Sequence, residues 1–254
     1  MRTLWFVMPV HGRLDLTAIC LRQLRRTCDA LHADGIEATA VVIGDSTNLA
    51  ELRTRVGETL LGFGTVTRDN RYLSRRFNDG IQLACDPKIN PRPADYVVPI
   101  GSDDWVDHRI LLRLPPRDTV LGFQHMSFVR EDGLELTVRH LNYEGGAGIR
   151  VYPRDVVAKA GYRPADEDRK RACDTSILTN LKKAHPSLRV AHGRIDPRQL
   201  VDWKSPGEQL NTYTDLAKHR GQRLEDPFVA LDGYFPAESL DAMRDHYARV
   251  PVAA

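Results

Sequence analysis

"VVPIGSDDW", residues 97–105, is the stretch on which the fold turns: an unbroken apolar run, Tyr96-Val97-Val98-Pro99-Ile100, passes almost directly into two adjacent carboxylates, Asp103 and Asp104. Apolarity without alternation marks a strand covered on both faces. Two carboxylates about 4 Å apart repel by roughly 4 kcal/mol at an effective dielectric near 20, against about 1 kcal/mol in water. Such a pair requires open solvent or a cation. A buried strand that stops on an acidic edge therefore suggests a parallel sheet, in which ligands gather beyond the carboxyl ends of the strands.

The flanking sequence agrees. Leu4 to Val10 reads as a first strand, and Leu14, Ala18, Leu21, Leu24, Cys28 and Leu31 follow at helical spacing. Ala38 to Ile43 is a second continuous apolar strand, ending at Gly44-Asp45-Ser46, and Phe63 to Thr67 a third. A helix from Leu73 to Ala84 turns Phe77, Ile81 and Ala84 inward, and the proline-rich Asp86–Pro93 excludes regular structure. Strand and helix alternate, as in a parallel sheet with crossover helices. His11-Gly12-Arg13, Asp45-Ser46 and Ser102-Asp103-Asp104 all fall at strand ends.

The second half is of mixed character. Val120–Val129 and Leu134–Leu141 read as antiparallel strands turning through Glu131-Asp132-Gly133, and Gly145–Gly148 as a loop leading into Ile149–Tyr152. Helices are expected over Pro153–Ala160 and Asp174–Ala184, then an irregular polar stretch, then helices over Leu210–His219 and Ala237–Val250.

With 254 residues the chain is long enough for one substantial domain, and 36 basic against 34 acidic residues give a net charge of +2, which excludes a bulk electrostatic pull towards nucleic acid or acidic membranes. Leu4–Met8 is too short to span a membrane and is interrupted by Pro9, so no membrane span or signal peptide is expected. Cys20, Cys28, Cys85 and Cys173 have no zinc or disulfide spacing, and a cytoplasmic location follows as the expectation.

Strand-end carboxylates facing one crevice suit a nucleotide: Asp45 for a base N–H, Asp103 and Asp104 for a ribose hydroxyl and a hard divalent cation. Each has a plainer reading, Asp45-Ser46 as a turn and Asp103-Asp104 as the start of a following helix.

The motifs resemble those of family 2 type glycosyltransferases with the GT-A fold. Pro9-Val10-His11-Gly12-Arg13 is similar to their "PVYNR", Val42–Asn48 to "VDDGSTD", Asp69–Gly80 to "ENRGLSAARNAG", Ala94–Trp105 to "GEYIAFLDSDDW" and Gly148–Tyr162 to "LLFRREVLEEVGGF". The resemblance covers about residues 4–184. It implies an α/β protein with a GT-A fold: a Rossmann-like, mostly parallel central sheet flanked by helices and a mixed acceptor-side half, to which the residues beyond the resemblance add a helical C-terminal tail. The corresponding division is a glycosyltransferase domain over 1–207, with a nucleotide-sugar-binding half (1–106) and an acceptor-side half (107–207), and an extension over 208–254 that either closes over the donor or joins two copies in a homodimer.

The same resemblance implies transfer of a sugar from a nucleotide-diphosphate-sugar, a UDP-sugar first among them, to an acceptor hydroxyl with inversion, assisted by Mn or Mg. Pro9, Val10, His11, Arg13, Asp45, Ser102 and Asp103 would line the nucleotide-sugar pocket, Arg76 would face the diphosphate, and Asp103, Asp104 and His192 would hold the metal. Asp174, in Cys173-Asp174-Thr175, occupies the place of the family's general base, although an aspartate there also caps a helix; Asp166, Glu167 and Asp168 are alternatives. His192 reads equally as a surface or core histidine. Gly101 stands where the family has the first aspartate of its Asp-x-Asp signature, Gly44 where it has the first of "VDD", and Cys173 where it has glutamate, so the expected ligand set is thin. Arg68, Arg71, Arg75 and Arg76 gather at one helix start, and Arg163, Arg169, Lys170 and Arg171 would form either a basic acceptor rim or a solvated face. A protein, saccharide, small molecule or modified nucleic-acid base all remain open as acceptor. Competing readings are a nucleotidyltransferase of related fold and a nucleotide-binding module without catalysis.

Overall fold

A computed structural model describes residues 1–69, 71–129, 136–140, 149–169, 173–204, 221–224 and 226–249. The expected turn at 131–133, the glycine loop 145–148, Lys170, Arg171 and the helix over 210–219 lie outside the described residues.

Strands β1 (Arg2–Pro9), β2 (Ile36–Gly44), β3 (Gly64–Thr67) and β4 (Tyr96–Pro99) run parallel in the spatial order β4-β1-β2-β3. Helix α1 (Leu14–Ala33) links β1 to β2, and α2 (Ser46–Val56) with α3 (Glu58–Leu61) links β2 to β3. Helix α4 (Leu73–Cys85) crosses back to β4. The chain thus leaves β1 on one side and returns on the other, which makes the β1/β4 boundary the topological switch point of the sheet.

The acidic loop after β4 leads into a short strand, β5 (Asp104–Val106), which belongs to a second sheet. Strands β6 (Thr119–Phe123), β9 (Arg150–Pro153) and β10 (Arg189–Gly193) extend the first sheet to seven strands, in the order β10-β6-β9-β4-β1-β2-β3; β9 runs against both neighbours and the others share one direction. The second sheet, β12-β8-β7-β11-β5, contains β7 (His125–Val129), β8 (Leu136–His140), β11 (Leu200–Trp203) and β12 (Gly221–Leu224). Helices α5 (Arg154–Ala158), α6 (Cys173–Ala184), α7 (Pro227–Leu231) and α8 (Ala237–Arg249) complete the described α-helices, and single 3-10 turns lie at His108–Leu111 and Pro197–Gln199.

The expected central sheet with flanking helices is therefore present, and β7 pairs antiparallel with β8 as expected. Three details differ from the sequence reading. Val120–Val129 is not one strand, because it breaks at Gln124 and changes sheets. Residues 46–56 form a helix that buries Leu49, Leu52 and Val56 at helical spacing. The supposedly irregular stretch after α6 carries β10 and β11.

Alternation along the central strands divides the apolar residues between two cores. Phe6, Met8, Val42 and Val98 pack on the α1 side, while Val7, Val41, Ile43 and Val97 pack on the α4 and α6 side. Gly80 sets the approach of α4: a Cβ there would lie 2.3 Å from Val7 Cγ1 and 2.7 Å from Ile43 Cδ1. Gly80→Ala is therefore expected to destabilise by about 1–3 kcal/mol through overpacking, although alanine is the better helix former; urea unfolding measures it, and an unchanged or raised midpoint would contradict this packing.

A third core joins α1 (Leu16, Ile19, Cys20) to Trp105, Trp203 and the C-terminal helices (Phe228, Leu231, Leu240, Met243). No helix among the described residues is long and apolar enough to cross a membrane.

Candidate functional site

The loops after β1 and β4 flank the switch point. After β1 the backbone turns left-handed at two successive residues, Gly12 (φ 60°) and Arg13 (φ 45°), before α1 begins. A non-glycine residue in that region is strained, and here a specific bond offsets the cost: Arg13 Nη1 donates to Asp103 Oδ2 at 2.8 Å. In the other loop Gly101 N donates to Asp104 Oδ2 at 2.7 Å.

A third carboxylate completes the group. Strand β11 pairs antiparallel with β5 and sets Asp202 directly opposite Asp104, and Trp203 N donates to the Asp103 carbonyl at 2.9 Å. One carboxylate oxygen from each of Asp103, Asp104 and Asp202 can be chosen so that all lie within 4.8 Å of one another. Like charges opposite one another across strands are unfavourable, and Lys204, itself buried, answers them by pairing with Asp202 at 2.5 Å. Among the described residues three carboxylates thus face two cations, Arg13 and Lys204.

Burial and the neighbouring Asp202 and Asp103 push the Asp104 carboxyl well above its usual range. Burial likewise raises Asp202 to about 6 despite Lys204. For Asp103 burial also acts upwards, but Lys204 and Arg13 outweigh it and hold this carboxyl low. Such separation of neighbouring carboxyl groups is characteristic of functional sites.

The residues fit a divalent cation. Three carboxylates, from the loop after β4, the start of β5 and β11, are a hard oxygen set, and Asp202 Oδ1 is buried without a hydrogen-bond partner among the described residues. Gly101 has a steric reason: a Cβ there would lie 2.7 Å from Asp104 Oδ2 and 2.8 Å from Asp103 Oδ1. A side chain at 101 would displace both carboxylates.

The remaining expected residues distribute as follows. Pro9 ends β1, Val10 and Ser102 are buried, and His11 is exposed at the crevice rim. Asp45 caps α2, its two oxygens accepting from Asn48 N and Asn48 Nδ2 at 2.7 Å each. Arg76, expected at a diphosphate, is buried and donates Nη1 to the Val10 carbonyl at 2.6 Å, tying α4 to the loop after β1.

His192 stands apart from the carboxylates. It pairs with Gly122, which pairs with Arg150, and β9 separates that row from β4. Three strand spacings amount to about 14 Å. His192, the expected third metal ligand, is thus distant from Asp103 and Asp104 along the sheet, because the chain reaches β10 at the opposite edge from β3.

Asp174 lies in the first turn of α6, half-exposed, with Arg150 Nη1 at 3.4 Å from its Oδ2. Asp166, Glu167 and Asp168 are engaged elsewhere, with Arg169, Arg163 and Arg75 respectively. Arg68 and Arg163 also share Asp79. Arg68 and Arg75 at the start of α4, and Arg163 and Arg169 of the expected acceptor rim, are thus each paired with a carboxylate.

Asp202, Lys204 and Arg150 were missed in the sequence. A signal existed for two of them: Asp202 interrupts an apolar strand-like run, Leu200-Val201-Asp202-Trp203, and Arg150 interrupts Ile149–Tyr152. A charge inside a short buried strand needs a partner.

No protein-family model matches the sequence, and no curated protein sequence does. Solved structures with a similar arrangement include a Drosophila beta-1,4-galactosyltransferase 7 mutant in complex with manganese, UDP-Gal and xylobiose (12% identity, TM-score 0.49, covering 76% of this chain and 65% of that one). Others are a 4-diphosphocytidyl-2C-methyl-D-erythritol synthase from Anaerococcus prevotii (9%, 0.47, 86% and 96%) and a glycosyltransferase involved in glycosylation of the major capsid of PBCV-1 (10%, 0.45, 80% and 92%). This chain thus spans under two thirds of the first of these.

Proposed function

We propose that this chain is a family 2 type, inverting glycosyltransferase that moves a sugar from a nucleotide-diphosphate-sugar, a UDP-sugar first among them, to an acceptor hydroxyl. The observation that carries this reading is the convergence of Asp103, Asp104 and Asp202 at the carboxyl edge of the sheet, beside its switch point.

Asp103, Asp104 and Asp202 would hold a divalent cation, Mn or Mg, which when bound supplies Lewis-acid stabilisation of the leaving diphosphate. The chain's own residues do the rest. Arg13, fixed by Asp103, keeps that carboxylate ionised and oriented. The loop from Pro9 to Arg13, with Asp45 and Ser102, lines the nucleotide side of the crevice. As the acceptor oxygen attacks the anomeric carbon, the bond from that carbon to the phosphate oxygen breaks, the nucleoside diphosphate leaves, and the acceptor proton passes to the Asp174 carboxylate.

A thermal-shift panel of UDP, GDP, TDP and CDP with and without manganese tests the donor side. A binder at about a hundred times its Kd adds roughly 2.7 kcal/mol of stability, so one nucleotide should raise Tm by several degrees, and only with the metal. No shift with any nucleotide would overturn the reading. Pyrophosphate release from a nucleoside triphosphate and a sugar phosphate would instead make the chain a nucleotidyltransferase.

A further inference from the structure

Arg150 is an anomaly in the fold. It opens β9 with 1% of its surface exposed, next to Val151 and Tyr152, which are equally buried. A cation taken out of water is expensive unless specific partners receive it, and an apolar side chain of similar volume is commonly as stable or more so. Packing alone therefore gives no reason for arginine here.

Its position gives one. β9 runs against β4 with Tyr152 opposite Val97 and Pro153 opposite Tyr96. Continuing that register by two residues sets Arg150 level with Pro99, two residues before Gly101 and the acidic loop. Arg150 faces the α6 side of the sheet, as Tyr152 does. There Nη1 reaches Asp174 Oδ2 at 3.4 Å, and the guanidinium also meets the Tyr152 phenol. Asp174 Oδ1 has no hydrogen bond among the described residues, and the Asp174 side chain is 35% exposed. Among the described residues one Asp174 oxygen is thus held by Arg150 while the side chain keeps part of its surface in solvent.

We propose that Arg150 is a positioning residue: from the buried end of β9 it fixes one oxygen of Asp174 and so aims the other into the crevice. This rests on the reading of Asp174 as the base of a sugar transfer. A planar guanidinium suits the task because its donors lie in a rigid fork and its charge is permanent.

The test uses the full chain and the variants Arg150→Met, Arg150→Lys, Asp174→Asn and the double variant Arg150→Met/Asp174→Asn. Thermal unfolding gives the coupling. Asp174→Asn should lower Tm in the wild-type background and have little effect once Arg150 is methionine; losses that simply add would overturn the proposal. Turnover of UDP-, GDP- and TDP-hexoses with manganese, water serving as acceptor, gives the second readout. Arg150→Met should lower kcat at least tenfold with donor KM within twofold, and Arg150→Lys should recover part of it. An Arg150→Met enzyme with kcat within twofold of wild type would overturn the proposal. Should Arg150→Met fail to fold, Arg150→Lys carries the same test: kcat lowered severalfold at unchanged donor KM supports it, and unchanged kcat overturns it. A wild-type chain that binds manganese and a nucleoside diphosphate but cleaves no donor would instead sink the transferase reading, with the stability cycle still deciding whether Arg150 holds Asp174.

Discussion

Asp202→Asn is expected to lower manganese affinity at least a hundredfold, measured by titration calorimetry or by the electron paramagnetic resonance of free manganese. Loss of a partner that merely orients a ligand typically costs about 10–100-fold, and here a candidate ligand itself is removed. The variant does second damage. Lys204, buried and 2.5 Å from Asp202, loses its nearest counter-ion. Its charge is held by Asp202 first and Asp103 second, so without Asp202 it is drawn towards the two remaining carboxylates and competes with the metal for them.

Breaking a buried ion pair on one side costs about 3–5 kcal/mol, so Asp202→Asn should also lower Tm. Asp202→Asn/Lys204→Met separates the two effects, since removing both charges should return most of the stability and none of the metal affinity. Wild-type manganese affinity in Asp202→Asn would show that the third carboxylate is structural and that Asp103 and Asp104 act without it.

The sequence could reveal the acidic edge but not its completion. Tyr96–Ile100 announces burial by composition alone, and the alternation of strands and helices before it leaves few topologies other than a parallel sheet. The crevice residues that follow a strand in sequence, His11 to Arg13 and Ser102 to Asp104, were legible for that reason.

Asp202 is nearly a hundred residues from Asp104 and meets it only through the antiparallel pairing of β11 with β5. No local pattern specifies that register. The same holds for Arg150 and Asp174, joined across a strand–helix boundary whose intervening chain has no fixed spacing. Conversely, the expected roles of Arg76 and His192 rest on the family resemblance alone. The packing of α4 directs the first to a backbone carbonyl, and the strand order places the second at a far edge.

Trp203→Ala is expected to produce a large loss of stability. The residue is fully buried, and its ring lies 4.8 Å from that of Trp105, 6.1 Å from Phe228 and 6.0 Å from Tyr247. Deleting such a side chain costs about 3–5 kcal/mol. For a chain of this size each kcal/mol moves Tm by roughly 2–4 °C, so a fall of about 10 °C is expected by calorimetry.

The consequence for the site follows from strand periodicity. Side chains alternate along β5 and β11, so Asp104 and Asp202 share one face while Trp105 and Trp203 occupy the other. The C-terminal helices close that second face: Phe228, Leu231 and Met243 pack on the tryptophans, and the Tyr247 hydroxyl donates to the Lys204 carbonyl at 2.8 Å. Residues 227–249 therefore act as the backing of the acidic cluster. Trp203→Ala should accordingly weaken manganese binding along with the fold, and increase amide exchange in β11 and in residues 237–249 together. Trp203→Phe should recover part of both. If amide exchange rose in the C-terminal helix alone while manganese affinity held, the helices would be a separate cover and not the support on which Asp202 is set.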